Sequence, residues 1–382
     1  MDAKQNYRCG APGCAAVSVK LIEMTASAGS KFGHIAFSNP PFSAYIFGRF
    51  LIVAALEMQS VAVGWQIYDI THRALDLGLV GLAQFLPSIL LFLISGHVAD
   101  RLNRRKVVLT CYLAFAACSA LLLGATLSYP HSIAPIYVVV VLIGVVRSFN
   151  GTAGRAILPA LVPPEHFENA VAWNASTFQA ATILGPSIGG VIYALFRGPS
   201  AVYGIATATG LMAFLALMRV EVPSQARSGE AVNLSTVLAG IRFIFEKKVI
   251  LGSLSLDMFA VLFGGAVALL PVYARDILRT GPWGLGLLRS APGVGAVATA
   301  TLLAYRPLRR RAGATMLWCV AAFAIFTVVF GVSHNLVMSL IALFLFEAVA
   351  QVTRQREARN SSAQPARSHP RVCAAPGSTF AD

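Results

Sequence analysis

Charged residues are scarce in this sequence. They make up only 12% of its 382 residues, while 57% are hydrophobic, and soluble domains carry about twice that charged fraction. The apolar residues also come in blocks of about 18 to 25, the length that a helix needs to cross a bilayer core of about 30 Å. A soluble globular fold is therefore excluded, and a lipid bilayer is the expected surrounding of the chain.

Several kinds of chemistry are also missing. The sequence has no Gly-Lys-Ser/Thr phosphate loop, and no nucleophile, base and orienting residue stand out as a set. Cys9 and Cys14 have no Cys or His partners at metal-binding spacing, and Cys111, Cys118 and Cys319 lie inside apolar blocks. We expect no ATP hydrolysis, no metal and no cofactor. An integral-membrane enzyme would need polar clusters at one membrane face, and we expect no enzymatic activity.

Acidic residues are few, which leaves a net charge of +14. Such a charge could indicate nucleic-acid binding, but the basic residues are divided among short segments between the apolar blocks and form no continuous surface. They instead indicate topology, because Lys and Arg in short loops favour the cytoplasmic side. The pattern predicts a multi-pass protein of the inner (plasma) membrane with a cytoplasmic N-terminus and no nucleic-acid partner.

The apolar blocks predict ten transmembrane spans. The predicted spans are 44–68, 77–99, 107–128, 134–153, 171–196, 201–218, 250–274, 284–304, 313–332 and 336–352. The expected organisation is an N-terminal cytoplasmic segment (1–43), a six-helix bundle (44–218), a cytoplasmic linker with an interfacial helix (219–249), a partial bundle of four helices (250–352) and a disordered or frameshifted tail (353–382).

The second half of the chain repeats the first at one fixed offset. Pro292 aligns with Pro87, and the basic cluster at 309–311 aligns with that at 104–106, each 205 residues later (292 − 87 = 205). Parallel halves of this kind place a substrate between them near the membrane midplane. The same offset predicts counterparts of the fifth and sixth spans after residue 376, where the sequence is polar. We therefore expect a chain that lacks its last two spans; the alternative is an ordinary disordered tail.

A distinctive motif follows the second span, and we call it the gating loop. Its residues are Gly96, Asp100, Arg101, Arg104 and Arg105. The motif resembles the loop between spans 2 and 3 of the major facilitator superfamily. The resemblance implies that the aspartate biases inward against outward states, although the family's aspartate docks on span 11, which has no predicted counterpart here. Asn103 replaces the family's second Gly and also tolerates the left-handed backbone. The alternative role of the basic cluster is cytoplasmic anchoring.

The fourth span ends in a second motif. Arg147, Asn150 and Gly151 resemble the family's pattern of an Arg, an amide three residues later and a Gly. An Arg deep in a span is costly and normally faces a partner or a wet cavity. We expect Arg147 and Asn150 to contribute to coupling or substrate binding. The alternative is an interfacial Arg whose charged end reaches water.

The fifth span carries a third motif. Gly185, Pro186, Gly189 and Gly190 resemble the Gly-Pro-x-x-Gly-Gly pattern of the antiporter branches. Small residues allow close helix approach, and a proline removes a backbone hydrogen bond and kinks the helix. The resemblance implies export by exchange. The alternative is a packing kink that says nothing about transport direction.

Carboxylates inside predicted spans are the candidates for carrying protons. Glu57 lies near the centre of the first span, and Asp257 lies closer to the cytoplasmic end of the seventh. A charge in hydrocarbon costs at least about 2.5 kcal/mol, so such groups usually pair or move protons. Glu57 is the first candidate for the proton carrier, and we further suggest that it pairs with Arg147. Gln66 and Trp173 are weaker candidates for lining a cavity, since most such residues are packing or interface anchors.

The resemblance covers nearly all of 40–352. The run 58–68, Met-Gln-Ser-Val-Ala-Val-Gly-Trp-Gln-Ile-Tyr, is similar to the branch that contains enterobactin-type siderophore exporters and transmembrane secretion effectors. It implies an all-α membrane protein with the major facilitator fold, two parallel-repeat bundles and about ten of twelve spans. The implied function is proton-coupled export of drug- or siderophore-like small molecules by a monomer that alternates its access. The rival is a truncated membrane protein that inserts but does not transport.

Overall fold

A computed structural model describes residues 40–163, 166–220, 268–305 and 312–362 of the chain. Within those ranges the structure is helical and contains no strand. The chain divides into two compact units, Met1–Val232 and Asn233–Asp382. The boundary lies in the predicted linker 219–249, which falls, apart from its first two residues, outside the described residues together with most of the span 250–274.

The described part of the first unit contains seven helices. They are α1 (Pro40–Thr71), α2 (Ala74–Leu90), α3 (Phe92–Arg101), α4 (Arg104–Ser128), α5 (Ala134–Leu161), α6 (Phe167–Leu195) and α7 (Pro199–Met218). The predicted second span is thus two helices, which separate at Leu91. Proline at the first or second position opens α5 and α7, where its missing N–H costs nothing and its fixed φ suits a helix.

Helix α1 is the centre of the first unit. It packs along α6 and α7, while α4 packs against α5 and α7, and both α2 and α3 pack against α5. Most of α1 from Ala54 to Tyr68 is buried. In contrast, apolar side chains on the outer helices stay open, such as Leu195 at 73% exposure. Such surfaces are expected where lipid, rather than water, covers the protein.

The described part of the second unit begins with a three-residue helix, α8 (Leu270–Val272), which continues into a π-helix (Tyr273–Ile277). The longer helices that follow are α9 (Gly281–Tyr305), α10 (Ala312–Val332) and α11 (Leu336–Ser362). Helix α11 packs along both α9 and α10. The Tyr273 hydroxyl lies within hydrogen-bonding distance of the carbonyl oxygens of Phe330 and Ser333 and donates its one proton between them, which ties the first segment to the end of α10.

Two predicted boundaries differ from the structure. Helix α11 continues to Ser362, whereas the sequence analysis starts an irregular tail at Thr353. The added turns contain Gln, Arg, Glu and Ala, which favour helix, and Pro365 comes only after them. Asn103, expected to tolerate a left-handed backbone, is instead extended (φ −63°, ψ 112°), and its side chain accepts a hydrogen bond from the Arg105 N–H. It is an N-cap, because its amide oxygen satisfies a free donor of the first turn.

Among the residues that the structure describes, three non-glycine residues have a left-handed backbone. His72 follows α1, Arg197 follows α6, and Arg279 follows the π-helix, with φ values of 52°, 51° and 51°. Each lies one or two residues beyond the end of its helix, where the chain reverses and where glycine is the usual choice.

By length and composition, five of the described helices can cross a bilayer: Pro40–Thr71, Arg104–Ser128, Ala134–Pro159, Phe167–Leu195 and Pro199–Met218. Three apolar helices are shorter, Ala74–Leu90, Trp318–Val332 and Leu336–Val352. The protein is therefore a multi-pass helical membrane protein. The full number of ten predicted spans stays a prediction, because the seventh span lies mostly outside the described residues.

Candidate functional site

An ion pair joins α1 to α5 inside the first unit. The Nη2 atom of Arg147 lies 3.7 Å from Oε1 of Glu57, and the side chains are 42% and 22% exposed. The Nη1 atom of Arg147 also donates to the side-chain oxygen of Gln84 on α2, at 3.4 Å. The structure thus contains the pair guessed from the sequence. Sequence analysis missed Gln84 as its third member, because a lone glutamine in an apolar block carries no distinctive pattern.

A narrow crevice of about 10 Å³ lies beside this pair, which is about the space that one water molecule needs. Gln59, Ser60 and Gln84 contribute polar side chains to its lining, together with Arg147. Gln59 is 2% exposed and accepts a hydrogen bond from the Ser119 hydroxyl at 2.5 Å. Polar and apolar side chains therefore line the crevice in equal numbers, with Arg147 of the ion pair among them.

The Gly-Pro-x-x-Gly-Gly motif packs α6 directly onto α1 at the ion pair. A Cβ atom on Gly185 would lie 2.7 Å from Cβ of Glu57, and one on Gly189 would lie 2.7 Å from Cα of Met58. Both distances are too short for real atoms, so only glycine permits this approach. Helix α6 continues unbroken through Pro186 to Leu195, and Gly185, Pro186, Gly189 and Gly190 are all buried. The motif therefore determines how closely α6 approaches the helix that carries Glu57.

The gating loop spans the junction of α3 and α4. Gly96 and Arg101 lie on α3, and Arg104 and Arg105 open α4. The Nη2 atom of Arg105 donates to the carbonyl oxygen of Met218 at the end of α7, at 2.7 Å. Arg105 thus links two helix ends within the first unit. The side chains of Asp100 and Arg101 lie outside the described residues, so the predicted role of Asp100 stays a prediction.

Gln66 and Trp173 do not lie next to the ion pair. Gln66 is nine residues after Glu57 on α1, which is about 13 Å along the helix axis. Its amide donates to the Thr126 hydroxyl at 3.2 Å and accepts from the Tyr203 hydroxyl at 2.8 Å. It therefore connects α1 with α4 and α7. Trp173 on α6 is half-buried.

The remaining candidates are Asn150 and Asp257. Asn150 is half-buried on α5, one turn after Arg147. Asp257 lies outside the described residues. The His, Cys, Asp and Glu residues within the described ranges form no group that could hold a metal ion.

Sequence analysis missed a second intramembrane cation, Arg49, which lies in the first span. The Nη1 atom of Arg49 donates to the Tyr45 hydroxyl at 3.4 Å, and that hydroxyl donates to the Gly154 carbonyl at 3.1 Å. The guanidinium also lies 5.9 Å from the ring centroid of Phe178, within the range of a cation–π contact. Its position inside the predicted span 44–68 was the available signal, because intramembrane charges are rare and usually functional.

Comparison with known proteins shows which family the chain belongs to. The family model of transmembrane secretion effectors, part of the major facilitator superfamily, matches residues 40–366. The chain belongs to this family. The curated relatives include the enterobactin exporter EntS of Shigella boydii and of Escherichia coli, each 29% identical over 327 residues, which cover 83% of this chain and 76% of the relative.

Solved transporter structures share the fold. A bacterial homologue of the human lysosomal transporter Spinster has a TM-score of 0.63 at 15% identity and covers 83% of this chain and 75% of its own. A bacterial homologue of the iron transporter ferroportin has a TM-score of 0.60 at 15% identity and covers 84% and 83%. At such identities the likeness establishes the major facilitator fold and says nothing of substrate.

Within a transmembrane secretion effector, the geometry distinguishes two kinds of residue. Glu57 and Arg147 are charged and partly exposed, and Arg147 lines a crevice that also has polar side chains. Gln59 and Gln66 are buried and hydrogen-bonded to other helices, which suits groups that hold the bundle together. The protein is accordingly a transporter of small molecules, with no enzymatic role.

Proposed function

We propose that this transporter exports small organic molecules in exchange for protons and works by alternating access. The proposal places it in the inner membrane as a monomer with its N-terminus in the cytoplasm. The observation that carries it is the ion pair between Glu57 and Arg147, since its carboxylate is the ionisable acid of a charged pair inside the membrane-spanning part of the first unit.

Proton coupling follows from the chemistry of this pair. When Glu57 binds a proton from water, its side chain becomes neutral and its attraction for Arg147 is lost. Arg147 then keeps only its hydrogen bond to Gln84 and is free to bind an anionic group or to move. Protonation of Glu57 changes the energies of the inward-facing and outward-facing states by different amounts. It therefore shifts the population between these two states. The Glu57 side chain is 22% exposed, and the proposal requires this exposed side to face water.

The substrate class rests on the relatives. The curated relatives are exporters of enterobactin, and the motif on α6 resembles that of antiporters. We therefore propose export of drug- or siderophore-like compounds.

The test is transport by purified protein in proteoliposomes, with enterobactin as the first probe and ethidium as an unrelated one. An imposed pH gradient should drive uphill movement of a transported probe by the wild type. Glu57→Gln should lose this uphill movement but retain exchange of labelled for unlabelled probe without a gradient. Glu168→Gln, which removes an exposed carboxylate at the start of α6, should behave as the wild type.

Retained pH-driven accumulation in Glu57→Gln would remove Glu57 as the proton carrier. Equal probe movement with and without the gradient in the wild type would remove proton coupling altogether. No movement of either probe, in protein that is folded and monodisperse, would remove the proposed substrate class.

A further inference from the structure

An apolar groove of about 340 Å³ lies on the first unit where α3, α4 and α5 meet. Its walls include Val98, Leu102, Lys106, Ala114, Val146 and Phe149. The groove is separate from the Glu57–Arg147 pair, because none of the residues that line the crevice at the pair also lines the groove. The transport mechanism proposed above therefore does not use it.

The groove is apolar along its length and basic at one end. Thr110 contributes a hydroxyl, but that hydroxyl donates to the carbonyl of Lys106 in its own helix, at 2.9 Å. The proton of this hydroxyl is therefore already used within α4. Lys106 lies at the start of α4 and is exposed, and Leu102, also at that end, is 58% exposed. An occupant would meet hydrocarbon along most of the wall and a cation at the end.

The charged end lies at the membrane surface that is richest in anions. Lys106 belongs to the basic segment whose position predicts the cytoplasmic side. The cytoplasmic leaflet is negatively charged, and basic pockets between transmembrane helices on that side bind anionic headgroups. Helices α4 and α5 are long and apolar enough to cross the bilayer, so the rest of the groove lies at the depth of acyl chains.

We propose that this groove binds one acyl chain of an anionic phospholipid and that Lys106 binds the phosphate of its headgroup. An amphiphile with one anionic end matches a groove with one cationic end, because the ammonium group offsets the headgroup charge while the chain covers apolar surface. The lipid would contact Val98 of α3 and Leu102, the residue just beyond the end of α3, which flank Asp100 of the gating loop. Its binding would therefore act on the short helix that carries this motif.

The test measures which lipids stay on the full-length protein. Protein reconstituted in a 3:1 mixture of phosphatidylcholine and phosphatidylglycerol is released into detergent, and bound lipids are counted by native mass spectrometry. The wild type should retain phosphatidylglycerol above its share in the mixture. Lys106→Gln should lower the ratio of retained phosphatidylglycerol to phosphatidylcholine about fivefold, the factor expected for one Lys near the surface.

Matched variants distinguish the effect of the Lys106 charge from the effect of the space in the groove. Lys106→Arg should keep the wild-type ratio, and so should Arg219→Gln, which removes an exposed basic residue at the end of α7, outside the groove. Ala114→Phe fills the groove and should reduce retention of both lipids, whereas Val138→Phe, at an exposed site of α5 outside the groove, should not.

Three results would overturn the proposal. The first is wild-type protein that retains the two lipids in their bulk ratio. The second is Lys106→Gln protein with an unchanged ratio. The third is Ala114→Phe protein that retains as much of both lipids as the wild type, which would show that the groove holds no acyl chain.

Discussion

The two units carry equivalent helices that are broken in one unit and continuous in the other. In the first unit the second span is two helices, α2 and α3, which separate at Leu91; in the second unit its counterpart α9 runs through without a break. Both contain a proline at the equivalent position, Pro87 and Pro292. A proline inside a helix therefore does not by itself determine whether the helix is interrupted.

The packing of equivalent helix pairs differs in a second way. Gly144 of α5 faces the Gln84 carbonyl of α2, and a Cβ atom there would lie 2.6 Å from the oxygen. In the second unit the counterpart pair, α9 and α11, also approaches closely, but the glycine is Gly295 of α9, which faces the Phe344 carbonyl of α11. Both units thus contain the close approach, but the glycine that permits it lies on α5 in the first unit and on α9, the counterpart of α2, in the second.

The charged pair has no counterpart in the second unit. Positions 205 residues after Glu57 and Arg147 are occupied by Leu262 and Val352. The two units therefore share a helical framework and differ in chemistry, and four predictions test that division.

The largest expected effect is loss of stability at the two close approaches. Gly144→Ala and Gly295→Ala should each lower the free energy of unfolding by about 1–3 kcal/mol, because the added methyl group overpacks against backbone. Thermal unfolding in detergent measures the change. Gly124→Ala and Gly331→Ala are matched controls in α4 and α10, since nothing lies within 4 Å of a Cβ atom there, and both should be neutral or slightly stabilising. Equal melting temperatures for all four variants would contradict the packing argument.

Transport should depend on Arg147 and not on its counterpart. Arg147→Gln leaves Glu57 without its ion-pair partner and should lower gradient-driven transport at least about tenfold, the factor for a loss of about 1.4 kcal/mol. Val352→Gln adds the same amide at the equivalent position of α11 and should keep wild-type transport. Similar losses in both variants would mean that the chemistry is shared by the two units.

A smaller effect is expected at the gating loop. Asp100→Asn should slow transport severalfold with little change in membrane insertion, because it removes one charge that biases the two access states. Initial rates in proteoliposomes, normalised to inserted protein, measure it. Tyr305→Phe, at the counterpart position of the second unit, is the control. Unchanged rates in Asp100→Asn would end the gating role of this aspartate.

The smallest effect is expected at a buried hydrogen bond of the first unit. Tyr203→Phe removes the donor to Gln66 and should lower stability by about 1 kcal/mol, with no change in pH-driven transport. Tyr129→Phe, at a residue that is 62% exposed, should leave the melting temperature unchanged. A lower transport rate in Tyr203→Phe, at unchanged stability, would place Gln66 in the transport path.

The fold was largely predictable, because apolar block lengths and the 205-residue offset depend on simple physical requirements of the bilayer. One pair of described helix ends reflects that offset, since α4 and α10 end 204 residues apart (332 − 128 = 204). The break at Leu91 was not predictable, since an apolar block has no periodicity that marks a change of helix. The extension of α11 was missed because polarity was taken as irregularity, although Arg, Gln and Glu favour helix.

The candidate site was predictable only where it involves charge. Glu57 and Arg147 stand out in apolar blocks because burying a charge is costly, and their pairing could be guessed because opposite charges attract. Gln84 could not be found, since its role depends on how α2 packs against α5. The contact of Gly185 with Glu57 likewise follows from the direction of α6 relative to α1, which no local pattern records.

The three left-handed residues leave room for engineering. His72, Arg197 and Arg279 hold a backbone conformation that costs a side-chain-bearing residue about 1–2 kcal/mol, and glycine would recover part of this after its greater chain entropy of about 0.5–1 kcal/mol. All three follow helix ends, and none lines the crevice or the groove. A variant with glycine at all three positions should therefore have a higher free energy of unfolding, which would help detergent extraction and cryo-microscopy. The residues proposed for transport would be unchanged.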